Sequence, residues 1–182
     1  MGLSINNNSV KLVTSFIYKD EACLEQAEKP ILKRFGEYEP LIESLPFDYT
    51  DYYNEEFGEP LKRKLVAFKK LVKIDNIYKV KQFSNKVENR LKNGGKRRVN
   101  IDPGYVTEAK LVLLTTKDYT HRMYVGGKIF AETTLYYQND TFRAWPWTYP
   151  DYASDELRGY FEKIRGIYVG QIKNTKIGYY GA

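Results

Sequence analysis

Four short segments of the 182-residue chain carry side chains able to do chemistry. In the first, Lys96-Arg97-Arg98 follows Gly94-Gly95 and precedes Asp102-Pro103-Gly104-Tyr105. Paired glycines let backbone N–H groups approach an anion, and guanidinium groups grip phosphate through two parallel hydrogen bonds. Lys96, Arg97, Arg98, Gly104 and Tyr105 are therefore candidate ligand-binding residues, and Asp102 a candidate acid or base. A solvated basic loop after a helix, where cations complement the C-terminal dipole, is the competing structural reading. The segment is not a P-loop, because Arg97 stands where Ser or Thr would hold Mg²⁺ and the earlier glycine is missing. Asn85-Lys86-Val87-Glu88 matches a guanine-reading Asn-Lys-x-Asp pattern only loosely, and its helical register makes it a surface pattern.

The second segment is Phe47-Asp48-Tyr49-Thr50-Asp51-Tyr52-Tyr53. Asp48 and Asp51 could share a divalent metal, Mg²⁺ among them, if a turn brings them to one side, and Tyr52 could contact a ligand. Asp and Thr also build turns for purely structural reasons. The third is Lys117-Asp118-Tyr119-Thr120-His121-Arg122, which holds the only histidine. On a single helical turn Asp118 would lie one turn from His121 and orient its ring, making both candidate catalytic residues, with Lys117 and Arg122 as anion-binding cations. A structural contact among Asp, His and Arg is the alternative. The fourth is Trp145-Pro146-Trp147-Thr148-Tyr149-Pro150-Asp151-Tyr152, in which Trp147 could stack on a ligand ring. The segment also reads as a proline-stiffened connection packed over a sheet.

The overall charge of +6 conceals a strong asymmetry. Met1–Leu61 has 5 basic and 12 acidic residues, Lys62–Arg98 has 14 and 2, and Val99–Ala182 has 10 and 9. A composition of 42% hydrophobic and 29% charged residues is that of a folded globular chain and excludes global disorder. The lone Cys23 cannot form an internal disulfide and reads as a small buried residue. One His and one Cys exclude an all-His/Cys zinc site, and nothing in the sequence points to haem or a dinucleotide. No apolar run suits a membrane span and the N-terminus is not a signal peptide, so a cytoplasmic protein without membrane contact is expected.

The elements that must position these segments follow from periodicity. Val10–Tyr18 is β-branched and apolar, a buried strand. Asp20 caps a helix that ends at Gly36 despite Pro30, and Tyr38–Tyr49 reads as a strand. Leu61–Val72 fits both a helix and a strand period, and the elements that follow favour a strand. Asp75 is expected to cap a helix whose apolar stripe is Ile77, Val80, Phe83, Val87 and Leu91. Val99–Ile101 reads as a short strand stopped by a turn at Asp102-Pro103-Gly104. Lys110–Thr116 is another strand, Gly126-Gly127 marks a hairpin, and Asp155–Tyr168 is a closing helix. The pattern is α+β: a ferredoxin-like β-α-β-β-α-β core extended by an antiparallel hairpin region and a C-terminal helix, in a single domain over residues 1–182.

Phe47–Tyr53, Pro60-Leu61-Lys62-Arg63, Arg97–Tyr105, Thr116-Lys117-Asp118 with His121-Arg122, and Pro146–Tyr152 together resemble the uncharacterised prokaryotic family catalogued as domain of unknown function 4416. The resemblance runs from about residue 10 to 168 and leaves 169–182 as a tail. It implies one intact domain and brings no activity, substrate or catalytic residue.

Mixed with carboxylates, a histidine and tyrosines, the cations point to a phosphorylated or nucleotide-like anion as the ligand, with catalysis left open. RNA bound along the basic 62–98 segment is a second possibility. A third is pairing of that segment with the acidic first third, within the chain or across a homodimer.

Overall fold

The computed structural model describes residues 8–48 and 53–179. Every strand joins one antiparallel sheet. The chain order is β1 (Ser9–Tyr18), α1 (Glu21–Phe35), β2 (Tyr38–Pro46), the single turn α2 (Asn54–Phe57), β3 (Lys62–Lys73), α3 (Tyr78–Arg90), β4 (Val99–Val106), β5 (Lys110–Thr115), β6 (Arg122–Gly126), β7 (Ile129–Gln138), β8 (Thr141–Ala144) and α4 (Asp155–Tyr179). Across the sheet the order is β2-β3-β1-β4-β5-β7-β6, and β8 pairs with the free half of the long β7. The fold is therefore α+β, with helices on both faces of an open sheet.

Alternation along β1 sorts the two faces. Val10, Leu12, Phe16 and Tyr18 join Leu24, Ala27 and Ile31 of α1 and Val80 and Val87 of α3 in one core. Val13, with Leu65 and Ala67 of β3, packs on the opposite face against Leu157, Phe161 and Ile164 of α4. Farther along that second face, Ile17 belongs to a separate small cluster with Phe47 and Leu61. The α4 layer thus covers only part of its face.

Local signals explain most boundaries. Asp20 Oδ1 accepts a hydrogen bond from Ala22 N, and α1 stops at Gly36, whose φ of 90° suits glycine. The stretch that fits two periods is a strand, β3. Gly126 and Gly127, both at positive φ, turn β6 into β7. Cys23 is fully buried, and burial raises its thiol pKa. Among the described residues no helix is long and apolar enough to cross a membrane.

Two expectations need correction. Asp75 does not cap α3; the cap position is Ile77 in αR geometry, without a side-chain cap bond. Asp102-Pro103-Gly104 is not a turn but the middle of β4. Gly104 is required there by close approach, because a Cβ would sit 2.4 Å from the Val112 carbonyl oxygen of β5. Beyond the expected end of the last helix, α4 continues to Tyr179, and Gln171 accepts from Lys11 Nζ and donates to the Lys69 carbonyl.

Candidate functional site

The ladder between β4 and β5 covers only Gly104–Val106 against Leu111–Leu113. Before Gly104 the two strands separate. Successive residues of a strand point their N–H and C=O groups to alternate sides, so Pro103 and Ile101 face the same side as Tyr105, toward β5. Pro103 has no N–H to give a neighbour there. At Ile101 the helix α3 replaces the missing strand: Glu88 Oε1 accepts from Ile101 N at 2.6 Å, and Lys81 Nζ donates to Ile101 O at 2.8 Å. Buried backbone groups must be paired, and here two charged side chains do it.

The result is a slot in the sheet opening into a cleft of about 580 Å³ on the part of the face that α4 leaves uncovered. Its inner wall is α3 (Lys81, Asn85, Glu88, Asn89) with Asn100 and Asp102 of β4. The floor carries Ile17 and Arg63; Phe47 and Tyr53 line one side. Thr115–Lys117, Tyr119, Arg122 and Glu132 line the other, and Tyr149–Tyr152 close over it.

The charged groups of the cleft are held in pairs. Lys81 Nζ is 2.9 Å from Asp102 Oδ1, and Asn100 Nδ2 donates to Asp102 Oδ2 at 2.5 Å. Burial opposes ionisation of Asp102, but Lys81 and Asn100 outweigh it and hold the carboxyl below the usual range. For Glu88 burial dominates and pushes its carboxyl up, with Lys81 opposing. Arg122 donates through Nε to Glu132 Oε2 at 2.7 Å. Arg97 forks onto Glu56 at 2.9 and 2.7 Å while its Nη1 donates to Asn100 Oδ1. That hydrogen-bonded fork raises the Arg97 pKa and lowers that of Glu56.

Arg63 differs from the others. Only 4% exposed, its guanidinium lies between the rings of Phe47 and Tyr152, 4.6 and 5.1 Å from their centroids. Nη1 is 2.5 Å from Asp151 Oδ2, but neither Nε nor Nη1 completes a hydrogen bond among the described residues. Arg63 is thus a desolvated, rigidly held cation that rests on one ion pair and two ring faces.

A family model described as a domain of unknown function, DUF4416, matches residues 8–168. The chain belongs to that family. No curated protein and no solved structure matches it. The DUF4416 region takes in every strand and every residue lining the cleft, while the last turns of α4 lie beyond it.

Of the residues expected from sequence, Asp102, Arg97, Lys117 and Arg122 line the cleft. The other two members of the basic triad do not. Arg98 turns outward to Asp20 Oδ2, and Lys96 closes a tight Asn93–Lys96 turn beside a smaller depression. Gly94 and Gly95 serve that turn, each at positive φ. Gly104 packs under β5, and Tyr105 is buried in the core shared with α1 and α3, where burial raises its pKa.

The expected Asp118–His121 contact is replaced by another. His121 Nε2 lies 3.1 Å from Glu132 Oε2, while Asp118 is exposed in an irregular segment rather than on a helical turn. His121 stacks on Trp147 and does not line the cleft itself, touching its lining residues Glu132 and Tyr119. Trp147 stacks with both His121 and Trp145 and donates to the Thr133 carbonyl, and it does not line the cleft. Asp48 is exposed, and Asp51 and Tyr52 lie outside the described residues. Among the described residues no group of three or more His, Cys, Asp or Glu side chains is placed to hold a metal.

Sequence reasoning missed Arg63, Lys81, Asn85, Glu88, Asn100, Glu132 and Asp151. The segments that carry the family resemblance already contain Arg63, Asn100 and Asp151, without assigning them a role. Lys81 and Glu88 sit seven residues apart on the buried side of α3, four residues after Ile77 and Ser84 respectively. Asn85 and Glu88, read from sequence as a surface pattern, line the cleft instead.

Proposed function

We propose that the cleft binds a small anionic ligand, phosphorylated or nucleotide-like, with Arg63 as its principal anchor and Arg122 and Lys117 beside it. The observation that carries this reading is the buried, ring-clamped Arg63 guanidinium, which lines the cleft and lacks hydrogen bonds at Nε and Nη1 among the described residues. The volume falls within the range of small-molecule sites, and aromatic, amide and charged groups converge on it. Two carboxyl groups, Asp102 and Glu88, line the cleft, which supports keeping catalysis open. We also infer a ferredoxin-like core: the order β2-β3-β1-β4, antiparallel throughout, with α1 and α3 sharing one face, supports it.

A specific observation bears on the basic segment. Lys62–Glu21, Lys64–Glu28, Lys69–Glu37, Arg97–Glu56 and Arg98–Asp20 all join it to the acidic first third. Internal pairing therefore accounts for much of the charge asymmetry and favours a small ligand over RNA. The test is mass spectrometry of small molecules released by denaturing the purified protein. A phosphorylated compound in near-stoichiometric amount supports the reading; recovery of RNA fragments alone would refute it.

A further inference from the structure

The cleft has two chemically different ends. At the floor and outer rim stand Arg63, Arg122 and Lys117 with Phe47, Tyr53, Tyr119 and Tyr149. At the slot end stand Asn85, Glu88, Asn89, Asn100 and Asp102, together with Lys81 and Arg97, whose charges are held there by Asp102, Glu88 and Glu56. Carboxylates accept hydrogen bonds and amides both accept and donate, so the slot end suits a neutral group rich in N–H or O–H.

Charge balance limits the anionic end. The lining holds five cations (Arg63, Lys81, Arg97, Lys117, Arg122) and four carboxylates (Glu88, Asp102, Glu132, Asp151). Three of those cations are already matched within the cleft, Arg63 by Asp151, Lys81 by Asp102 and Arg122 by Glu132. Arg97 is shared between Glu56 and Glu88. A polyphosphate would bring several charges against four carboxylates for a small net positive surplus, and like charges brought together in a partly desolvated site repel strongly.

We propose that the cleft selects a ligand with one phosphate group joined to a hydrogen-bonding ring, as in a nucleoside monophosphate, and discriminates against the corresponding triphosphate. This rests on the reading of the cleft as an anion-binding site. The phosphate lies against Arg63 and Arg122, and the ring enters the slot between β4 and β5, its polar edge toward Asn85 and Asn100. The slot exists because Pro103 and the Lys81–Glu88 pair keep β5 away from that half of β4, so its depth is fixed by the fold.

Isothermal titration with the four common ribonucleoside 5′-monophosphates, their triphosphates with and without magnesium, and ribose 5-phosphate tests this. At least one monophosphate is expected to bind about tenfold more tightly than its own triphosphate and than ribose 5-phosphate, a difference of about 1.4 kcal/mol. Arg63→Met should abolish binding of every phosphate compound. Asn85→Ala should weaken the monophosphate and leave ribose 5-phosphate unchanged, a split that a general loss of structure would not produce. Lys117→Ala, on the exposed rim, should weaken all phosphate compounds and serves if Arg63→Met does not fold. Tighter binding of a triphosphate, lost on Arg63→Met or Lys117→Ala, would overturn the single-phosphate selection while leaving the anion site standing. If no phosphate compound binds the wild-type protein, both inferences fail.

Discussion

Arg63–Asp151 and Arg98–Asp20 are both arginine–aspartate pairs closed at 2.5 Å. The first has side chains 5% and 6% exposed; those of the second are 37% and 48% exposed. In the outer pair water solvates whatever the partner does not, so it ties β4 to the start of α1 with little net energy. Removing either member of the inner pair strands a charge out of water. Chemically identical contacts thus do different work: the outer pairs neutralise the basic segment, and the inner pairs hold cations in fixed positions around an opening. Local charge density in the sequence marks the outer set, whereas burial against the sheet marks the inner one.

The largest expected effect is on the inner pair. Asp151→Ala leaves the buried Arg63 uncompensated and should destabilise the protein by about 3–5 kcal/mol in urea denaturation. A loss under 1 kcal/mol would erase the distinction between the two sets. Lys81→Met removes the donor to the Ile101 carbonyl and the partner of Asp102, with an expected loss of about 1–3 kcal/mol. Rescue by Lys81→Arg is not expected, because the fork does not fit a site built around one ammonium.

A pH series sharpens the contrast within the cleft. Burial raises the Glu88 carboxyl, so its contribution to stability is complete below its unfolded pKa of about 4.3 and is lost as pH rises through the folded value. Glu88→Gln should flatten the decline in denaturation midpoint above about pH 4.3. An unchanged pH profile would show that Glu88 is not the group responsible. Asp102 acts in the opposite sense: its lowered pKa gives stability that is present above about pH 3.9 and lost as pH falls through the folded value. The smallest effect belongs to the outer pair. Arg98→Ala should cost at most about 1 kcal/mol and less in high salt. It is a better probe than Asp20, which also caps α1.

Much of the fold was legible because its signals are local. Asp20, Gly36 and Gly126-Gly127 act on their immediate neighbours, and short apolar runs identified β1 and β5. The continuous β4 was hidden because Pro-Gly ordinarily marks a turn. Pro103 is tolerated there by an opening beside the strand, and Gly104 is demanded by the Val112 carbonyl, a partner eight residues away. The site was legible at Arg97, Asp102, Lys117 and Arg122, which stand in local clusters of charge. Charged Lys81 and Glu88 on a helix look solvated until the gap that they fill is known. Arg63 and Asp151 come from segments 88 residues apart, and His121 finds Glu132 across a hairpin rather than Asp118 beside it. Spacing along the chain carries no record of these meetings.

The claim that an anion enters the cleft rather than the basic surface is tested most directly by one comparison. A ribonucleoside monophosphate that binds the wild-type protein is titrated into Arg63→Met and Arg98→Ala, with circular dichroism to confirm that both are folded. The expected result is loss of binding in Arg63→Met and wild-type affinity in Arg98→Ala. Retained binding in Arg63→Met together with loss in Arg98→Ala would contradict the cleft as the binding site.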